Sequence, residues 1–347
     1  MAVNRKATIS DVAELAGVSI KTVSRVANQE ANVRESTRSR VEEAIAQLDY
    51  RPNMSARSLA GHRSKFIVLV YDDPSAYEDP SSGYIVRLQQ GALTACRNQG
   101  YELLIHPYNY QDYTVHRELT GLIARARPDG IILAAPLSNM SKFVSTIGET
   151  GTPYVCLSPG EEYIGPFAVA TNDQDISAAM TRYLASLGHV RIAFITGDPN
   201  HSAVATRLLG YQDGLQQCGL EFSEHLVVAG DNSIASGEAA AAELLARPQR
   251  PTAIFAANDD MAAGVMRVAD RMNIAVPGQL SVAGFDDNSL ARQIHPSLTT
   301  IRQPLSKMAE RAAQALISHF GQDLPTEGTE VFPASLQIRE STGPVPG

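Results

Sequence analysis

From residue 66 onward, seven runs of four or five mostly apolar residues recur, at 66–70, 101–105, 130–133, 154–157, 192–195, 253–256 and 280–283. Each ends in turn-forming or polar residues, as strands buried on both faces do. Between them lie segments of helical pattern, among them 85–98, 176–187, 203–218, 237–246 and 260–272. Alternating strand and helix constrain the chain to a doubly wound α/β body with parallel sheets. Seven strands are too many for one simple sheet. Two such halves with a cleft between them are expected, with ligand groups where the strands end.

At 347 residues the chain exceeds what one core usually holds. Cys96, Cys156 and Cys218 are odd in number and set in apolar or helical sequence, which fits buried thiols in a reducing compartment rather than a disulfide framework or a zinc site. Arg5 and Lys6 have no apolar run behind them, and no stretch approaches membrane-spanning length. A cytoplasmic protein is expected.

Charge is unevenly divided. The whole chain carries −8, but residues 1–65 hold 11 Lys and Arg against 7 Asp and Glu, whereas the rest holds 18 against 30. A basic front on an acidic body is what a DNA-facing module joined to a phosphate-repelled domain requires.

Within that front, Thr8-Ile9-Ser10-Asp11 has the form of a capping box, and Val12, Ala13, Leu15 and Ala16 follow at helical spacing. Gly17-Val18-Ser19 supplies a turn, an apolar plug and a cap for the next helix. That second helix, over about 20–28, turns Val23 and Val26 inward and leaves Ile20, Lys21, Thr22, Ser24 and Arg25 for another surface. A third, about 35–48, carries Val41, Ala44, Ile45 and Leu48 on one stripe. Two short helices joined by a Gly turn form a helix-turn-helix. An ordinary bundle with a basic face is the rival reading. Lys21 and Arg25, four apart on the open face, weigh against it, because long donors there reach guanine acceptors.

Thr8-Ile9-Ser10-Asp11-Val12-Ala13, Ala16-Gly17-Val18-Ser19, Thr22-Val23-Ser24-Arg25 and Asn28 together resemble the headpiece of the lactose-repressor (LacI/GalR) family. The resemblance implies DNA contacts from Thr8, Ser10, Ser19, Ile20, Lys21, Thr22, Ser24, Arg25, Asn28, Asn32 and Arg34. Tyr50-Arg51-Pro52-Asn53 and Ala56-Arg57-Ser58-Leu59-Ala60-Gly61 resemble the family's hinge, which implies contacts from Asn53 and Ala56 and a leucine wedge, Leu59, in the minor groove. Pro52 can start such a helix, and 53–59 is too short to be stable alone. Without the resemblance, 51–65 reads as a basic linker. Arg34 stands where family members often have a small polar cap, so the capping of the third helix stays open.

In the body, Asp72, Asp73, Ser158, Asp198, Asn258-Asp259 and Asp286-Asp287 all follow strands, and Arg207 lies in the helix after the 192–195 run. A cleft lined by Asp, Asn and Arg suits a neutral polyhydroxyl ligand, since each planar side chain can bond two adjacent hydroxyls. Asp or Asn after a strand is also a common helix cap, a reading that competes at Asp198 and Asp287. Ala257-Asn258-Asp259-Asp260-Met261-Ala262, Val282-Ala283-Gly284-Phe285-Asp286-Asp287 and Leu298-Thr299-Thr300-Ile301-Arg302-Gln303-Pro304 resemble body motifs of the same family. The resemblance places Arg207, Asn258 and Asp286 at effector positions, Ser158 where some members have aspartate, and Gln303 near the ligand at the hinge. Asp72 joins them as a candidate, and Tyr84 and Phe167 are candidates for stacking on the ligand, although aromatics near element ends are more often core.

The expected division is a headpiece at 1–52, a hinge at 53–64 and a body at 65–347, with one subdomain about 65–166 and 298–328 and the other about 167–297 and 329–341. The expected function is a transcription regulator, a repressor of carbohydrate genes, that binds palindromic operator DNA as a homodimer and is controlled by a sugar or glycoside. Induction and corepression would use the same parts with opposite sign. No apolar heptads follow Ile338, so no tetramer-forming helix is expected there. A purine or nucleoside corepressor is the alternative ligand, and a sugar-transport protein the alternative class. A glycoside hydrolase would need a carboxylate pair at set spacing. No nucleophile motif or His/Cys cluster points to catalysis or a metal, and no cofactor is expected.

Overall fold

The structure, a computed structural model, describes residues 7–27, 32–50, 63–73, 83–112, 114–160, 163, 165–320 and 328–345. Contacts divide the chain between Ser64 and Lys65 into two compact units.

In the first unit, α1 (Ile9–Ala16), α2 (Ile20–Ala27) and α3 (Glu35–Gln47) enclose a small core of Val12, Ala13, Ala16, Val23, Val26, Val41 and Ala44. The capping box is present: Thr8 Oγ1 accepts from the Asp11 amide at 3.4 Å, and Asp11 Oδ2 accepts from the Thr8 amide at 2.7 Å. Gly17 ends α1 with φ at 62°, a left-handed angle that glycine takes without strain. Ser19 Oγ accepts from the Thr22 amide at 3.2 Å and so starts α2. Leu15 departs from the expected stripe and is 47% exposed, because it sits beside Glu14 on the outer side of α1. Arg34 precedes α3 and makes no side-chain cap bond.

The second unit holds twelve strands among the described residues: β1 (Phe66–Asp72), β2 (Glu102–Tyr108), β3 (Gly130–Leu133), β4 (Tyr154–Leu157), β5 (Ala168–Thr171), β6 (Ile192–Ile195), β7 (Val227–Val228), β8 (Ala253–Ala256), β9 (Ser281–Ala283), β10 (Thr300–Arg302), β11 (Thr329–Phe332) and β12 (Ser335–Gln337). One parallel sheet runs β11-β5-β4-β3-β1-β2 and a second runs β7-β6-β8-β9, with β10 and β12 as a separate antiparallel pair. Strand order reverses around β1 in the first sheet and β6 in the second, which opens crevices at the carboxyl ends of those strands. Helices α4 (Gly83–Asn98), α5 (Val115–Ala126) and α6 (Ser141–Glu149) follow strands of the first sheet, and α7 (Asp173–Ser186), α8 (Ser202–Gln217), α9 (Ile234–Leu245), α10 (Asp259–Arg271) and the short α11 (Ser289–Gln293) belong with the second. A last helix, α12 (Leu305–Ser318), returns to pack beside α4.

This topology corrects the expected subdomain limits. β5 and β11 pair with each other on the edge of the first sheet, so residues 168–171 and 329–332 belong to the first subdomain and not the second. β10 joins the second, through bridges from Thr299 to Ala283 and from Arg302 to Asp286. The chain therefore crosses between subdomains near Asn172, Gln303 and Pro333. Asn172 Oδ1 accepts from the Ala334 amide at 2.8 Å and ties two of these crossings together. Cys96 and Cys156 are buried as expected, whereas Cys218 is exposed where α8 ends.

Candidate functional site

On the first unit, the outer face of α2 presents Ile20 (51% exposed), Lys21 and Arg25, with Thr22 and Ser24 partly buried beside them. Ser10, Ser19, Asn32 and Arg34 are also exposed, and Thr8 is half-buried in its capping box. A short helix whose inner side is fixed by Val23 and Val26 thus offers an open face of long donors. Asn28, Asn53, Ala56 and Leu59 lie outside the described residues.

On the second unit, a cavity of ≈ 140 Å³ lies where the two sheets' strand ends meet. Six of the candidate residues line it: Tyr84, Ser158, Arg207, Asn258, Asp286 and Gln303. Arg207, in the second turn of α8, is buried, with Nε on Asp173 Oδ1 at 2.9 Å and Nη1 on the Ala257 carbonyl at 2.7 Å. Its guanidinium lies 3.7 Å over the Phe285 ring. Asn258 caps α10 by accepting from the Met261 amide at 2.9 Å, and its Nδ2 donates to the Asn232 carbonyl at 2.8 Å. The capping role is therefore real, and it orients the amide at the cavity wall. Asp286 Oδ1 accepts from Gln303 Nε2 at 2.6 Å. Burial pushes the Asp286 carboxyl up to about 7, against the pull of Arg207 and Gln303. Burial likewise raises the Tyr84 hydroxyl.

Two of these side chains stand on backbone held in the left-handed region, Ser158 at φ 47° and Asp286 at φ 112°. Ladder-like bonds hold both: the Ser158 amide donates to the Val169 carbonyl and the Asp286 amide to the Ile301 carbonyl, each at 2.8 Å. Strained non-glycine backbone fixed in this way is a mark of a preorganised site.

Two expectations fail. Phe167 is 6% exposed and packs into the core under α4 and α12, 4.7 Å from the Arg311 guanidinium. It shares a face of its strand with Val169, so its ring points away from the cavity. Asp72 does not line the cavity either. Its Oδ1 accepts from the Tyr110 amide at 2.8 Å, and burial raises its carboxyl to about 6. Asp198 accepts from the Tyr110 hydroxyl at 2.8 Å, and despite burial, bonds from Asn200 and Tyr110 hold its carboxyl below the usual range. Asp287 is structural, gripped by Arg302 and Arg339 at 2.5 Å and Arg292 at 3.3 Å.

Sequence reasoning misses seven further lining residues, the apolar Ala135, Ala203 and Val204 and the polar His201, Asn232, Asp260 and Asn288. Asp260 sits inside the 257–262 motif and was within reach of that reasoning. Asn232 follows a strand of only two residues, β7, and carries no periodic signal.

Comparison with known proteins yields two family matches. Residues 8–53 match the bacterial regulatory proteins of the lacI family, and residues 181–342 match a periplasmic binding protein-like domain. The HTH-type transcriptional regulator GalR of Escherichia coli strain K12 is 35% identical over 338 residues, covering 96% of this chain and 95% of that protein. Among solved structures, the Lac repressor dimer bound to operator and the anti-inducer ONPF aligns with a TM-score of 0.85 at 27% identity, covering 98% of this chain and all of that one. A complex of the transcriptional regulator CelR with cellobiose aligns at 0.73 and 30% identity, covering 96% and 99%.

Proposed function

This chain belongs to the lacI family of bacterial regulatory proteins and is a DNA-binding transcriptional regulator, and from that premise we propose that it grips a palindromic operator as a dimer while a sugar in the body cavity sets its affinity. Ile20, Lys21 and Arg25 read bases in the major groove, and Thr8, Ser10, Ser19, Thr22, Ser24, Asn32 and Arg34 position the phosphate backbone or cap helices. On the family resemblance, Asn28 joins the headpiece contacts, and Asn53, Ala56 and Leu59 form the hinge contacts within 53–64.

The observation that carries the sugar assignment is the convergence of Arg207, Asn258, Asp286 and Gln303 on one cavity. Planar polar groups of the second subdomain and of the crossing at Gln303 face it, with the Tyr84 and Ser158 hydroxyls on the side of the first, and such groups hold paired hydroxyls. Among the described lining residues the aromatic rings are the Tyr84 phenol and the His201 imidazole, and most of the remaining wall is hydrogen-bonding side chains, which favours a sugar over a nucleoside. The solved complex of the relative CelR with cellobiose supports the same choice. No helix among the described residues is long and apolar enough to cross a membrane.

Selection of operator sites from random duplexes, followed by titration of pentoses, hexoses, glycosides and nucleosides into the complex, tests this reading. A palindromic site whose affinity changes with a sugar is expected. Sequence-independent binding, or a response to nucleosides alone, would overturn it.

A further inference from the structure

The charges around the cavity do not balance. Among the described residues Arg207 is its sole arginine and no lysine lines it, and that one cation is already engaged with Asp173. Burial keeps His201 down at about 4, so it is neutral at physiological pH. Asp286 and Asp260 both face the space: Asp286 is bonded by Gln303 and shares the field of Arg207 with Asp173, and Asp260 has neutral Asn288 beside it. The amino end of α10, otherwise a place for an anion, carries Asp259 and Asp260 in its first turn. That helix end is therefore spent on the protein's own carboxylates.

Size adds a second constraint. A void of about 150 Å³ accepts a single six-membered ring, and this cavity is ≈ 140 Å³. We propose that the cavity selects by charge and size: its effector is a single-ring, unphosphorylated sugar without a carboxylate, and a ring amine is tolerated where a phosphate or acid is rejected. This rests on the sugar reading above and narrows it. An anionic substituent would face two acidic groups in a partly desolvated space, with Arg207, whose charge Asp173 already offsets, as the one lysine or arginine among the described lining residues, whereas hydroxyls can donate to both and accept from Arg207 Nη2, which has no bond among the described residues.

Calorimetry on the full-length protein tests the proposal, using glucose, galactose, ribose and glucosamine beside glucose 6-phosphate, galactose 6-phosphate, ribose 5-phosphate, glucuronate and cellobiose, with adenine and guanine as the nucleobase probes. At least one neutral sugar or glucosamine should bind, with its acidic counterpart at least 100-fold weaker and cellobiose weaker than glucose. Asp260→Asn should narrow the neutral-to-phosphate ratio at least tenfold, with the melting temperature of the unliganded protein kept within a few degrees. A phosphate ester or glucuronate binding within threefold of its neutral parent would overturn the proposal while leaving the sugar reading intact. So would an unchanged ratio in Asp260→Asn, or a preference for cellobiose over glucose. Heat from adenine or guanine and from none of the sugars, or from no probe at all, would overturn both.

Discussion

Arg207 has two jobs, and its surroundings separate them. Its Nε and Nη1 are bound inside the second subdomain, to Asp173 and the Ala257 carbonyl, while the remaining nitrogen faces the cavity. Arg207→Ala therefore leaves Asp173 buried and unpaired, a change that typically costs about 3–5 kcal/mol. A lowered melting temperature is expected together with a lost ligand response. The double variant Arg207→Met with Asp173→Asn removes both charges, and calorimetry should find most of the stability restored while operator binding stays deaf to sugar. Restoration of both would mean that Arg207 never touches ligand. Asp286 offers a pH test. Its carboxyl is raised chiefly by burial, to about 7, with Arg207, Asp173 and Asp260 as its charged neighbours. A folded-state value above the unfolded one means stability that is full below about 4 and declines as pH rises to about 7. Asp259 and Asp72 slope the same way, so the readout is a difference: the fall in melting temperature from about pH 4.5 to about pH 7.5 should be smaller in Asp286→Asn than in the parent. Equal falls would show that Asp286 is ionised without cost.

At the level of elements, α2 owes its orientation to Val23 and Val26 on one side and to Ser19 at its start. Its outer face then carries Lys21 and Arg25 one turn apart. Arg25→Ala should cost roughly 1–3 kcal/mol on a selected operator and far less on random duplex, measured by competition binding; equal losses on both would reduce Arg25 to a phosphate contact. The elements that proved readable were those with strong local chemistry. The Thr8 capping box, the Gly17 stop and the apolar runs of β1, β3, β4, β6 and β8 all appear in place. What escaped had weak or nonlocal signals. β7 is two residues long, and β11 is an edge strand in which exposed Thr329 and Val331 alternate with half-buried Glu330 and Phe332, so it lacks the continuous apolar run of its neighbours. Pairing of β5 with β11 joins segments some 160 residues apart, and no local pattern records that. Phe167 misleads for a related reason: an aromatic before a strand can face either side, and only the register of β5 says which. Of the cavity residues that were legible, Ser158, Asn258, Asp286 and Gln303 come soon after strands and Tyr84 and Arg207 lie in helices, whereas His201 and Asn288 lie in turns whose aim depends on the closed arrangement of the two halves.

That closed arrangement is held at its rim by a contact away from the ligand cavity. Tyr110 follows β2 in the first subdomain. Its hydroxyl donates to Asp198 Oδ2 at 2.8 Å and accepts from Asn200 Nδ2 at 3.0 Å, both residues following β6 in the second. Asp72 fixes the Tyr110 backbone from below through the bond to its amide. Asn139 adds a second link across the same rim: with its amide turned so that the nitrogen faces the Ser158 carbonyl, its oxygen accepts from the Ser202 amide at 2.8 Å. Three chain crossings form the hinge opposite this rim, and a body on such a hinge exchanges between open and closed states whose balance a few hydrogen bonds can move. Tyr110→Phe removes the bond to a charged acceptor and the one from Asn200 without touching Arg207, Asn258 or Asp286. Bonds to charged groups contribute about 1.5–3 kcal/mol when lost from a partly buried site, less here because the freed groups regain water. A ligand that prefers the closed form must then supply that difference itself, so its half-saturating concentration should rise roughly 3- to 30-fold. By linkage, the ligand-free protein's operator affinity should shift in the direction opposite to the one that ligand produces. Anisotropy of labelled operator across a sugar titration reads both. A dose response displaced less than twofold, with unliganded operator affinity unchanged, would mean that the rim contacts follow closure and do not set it.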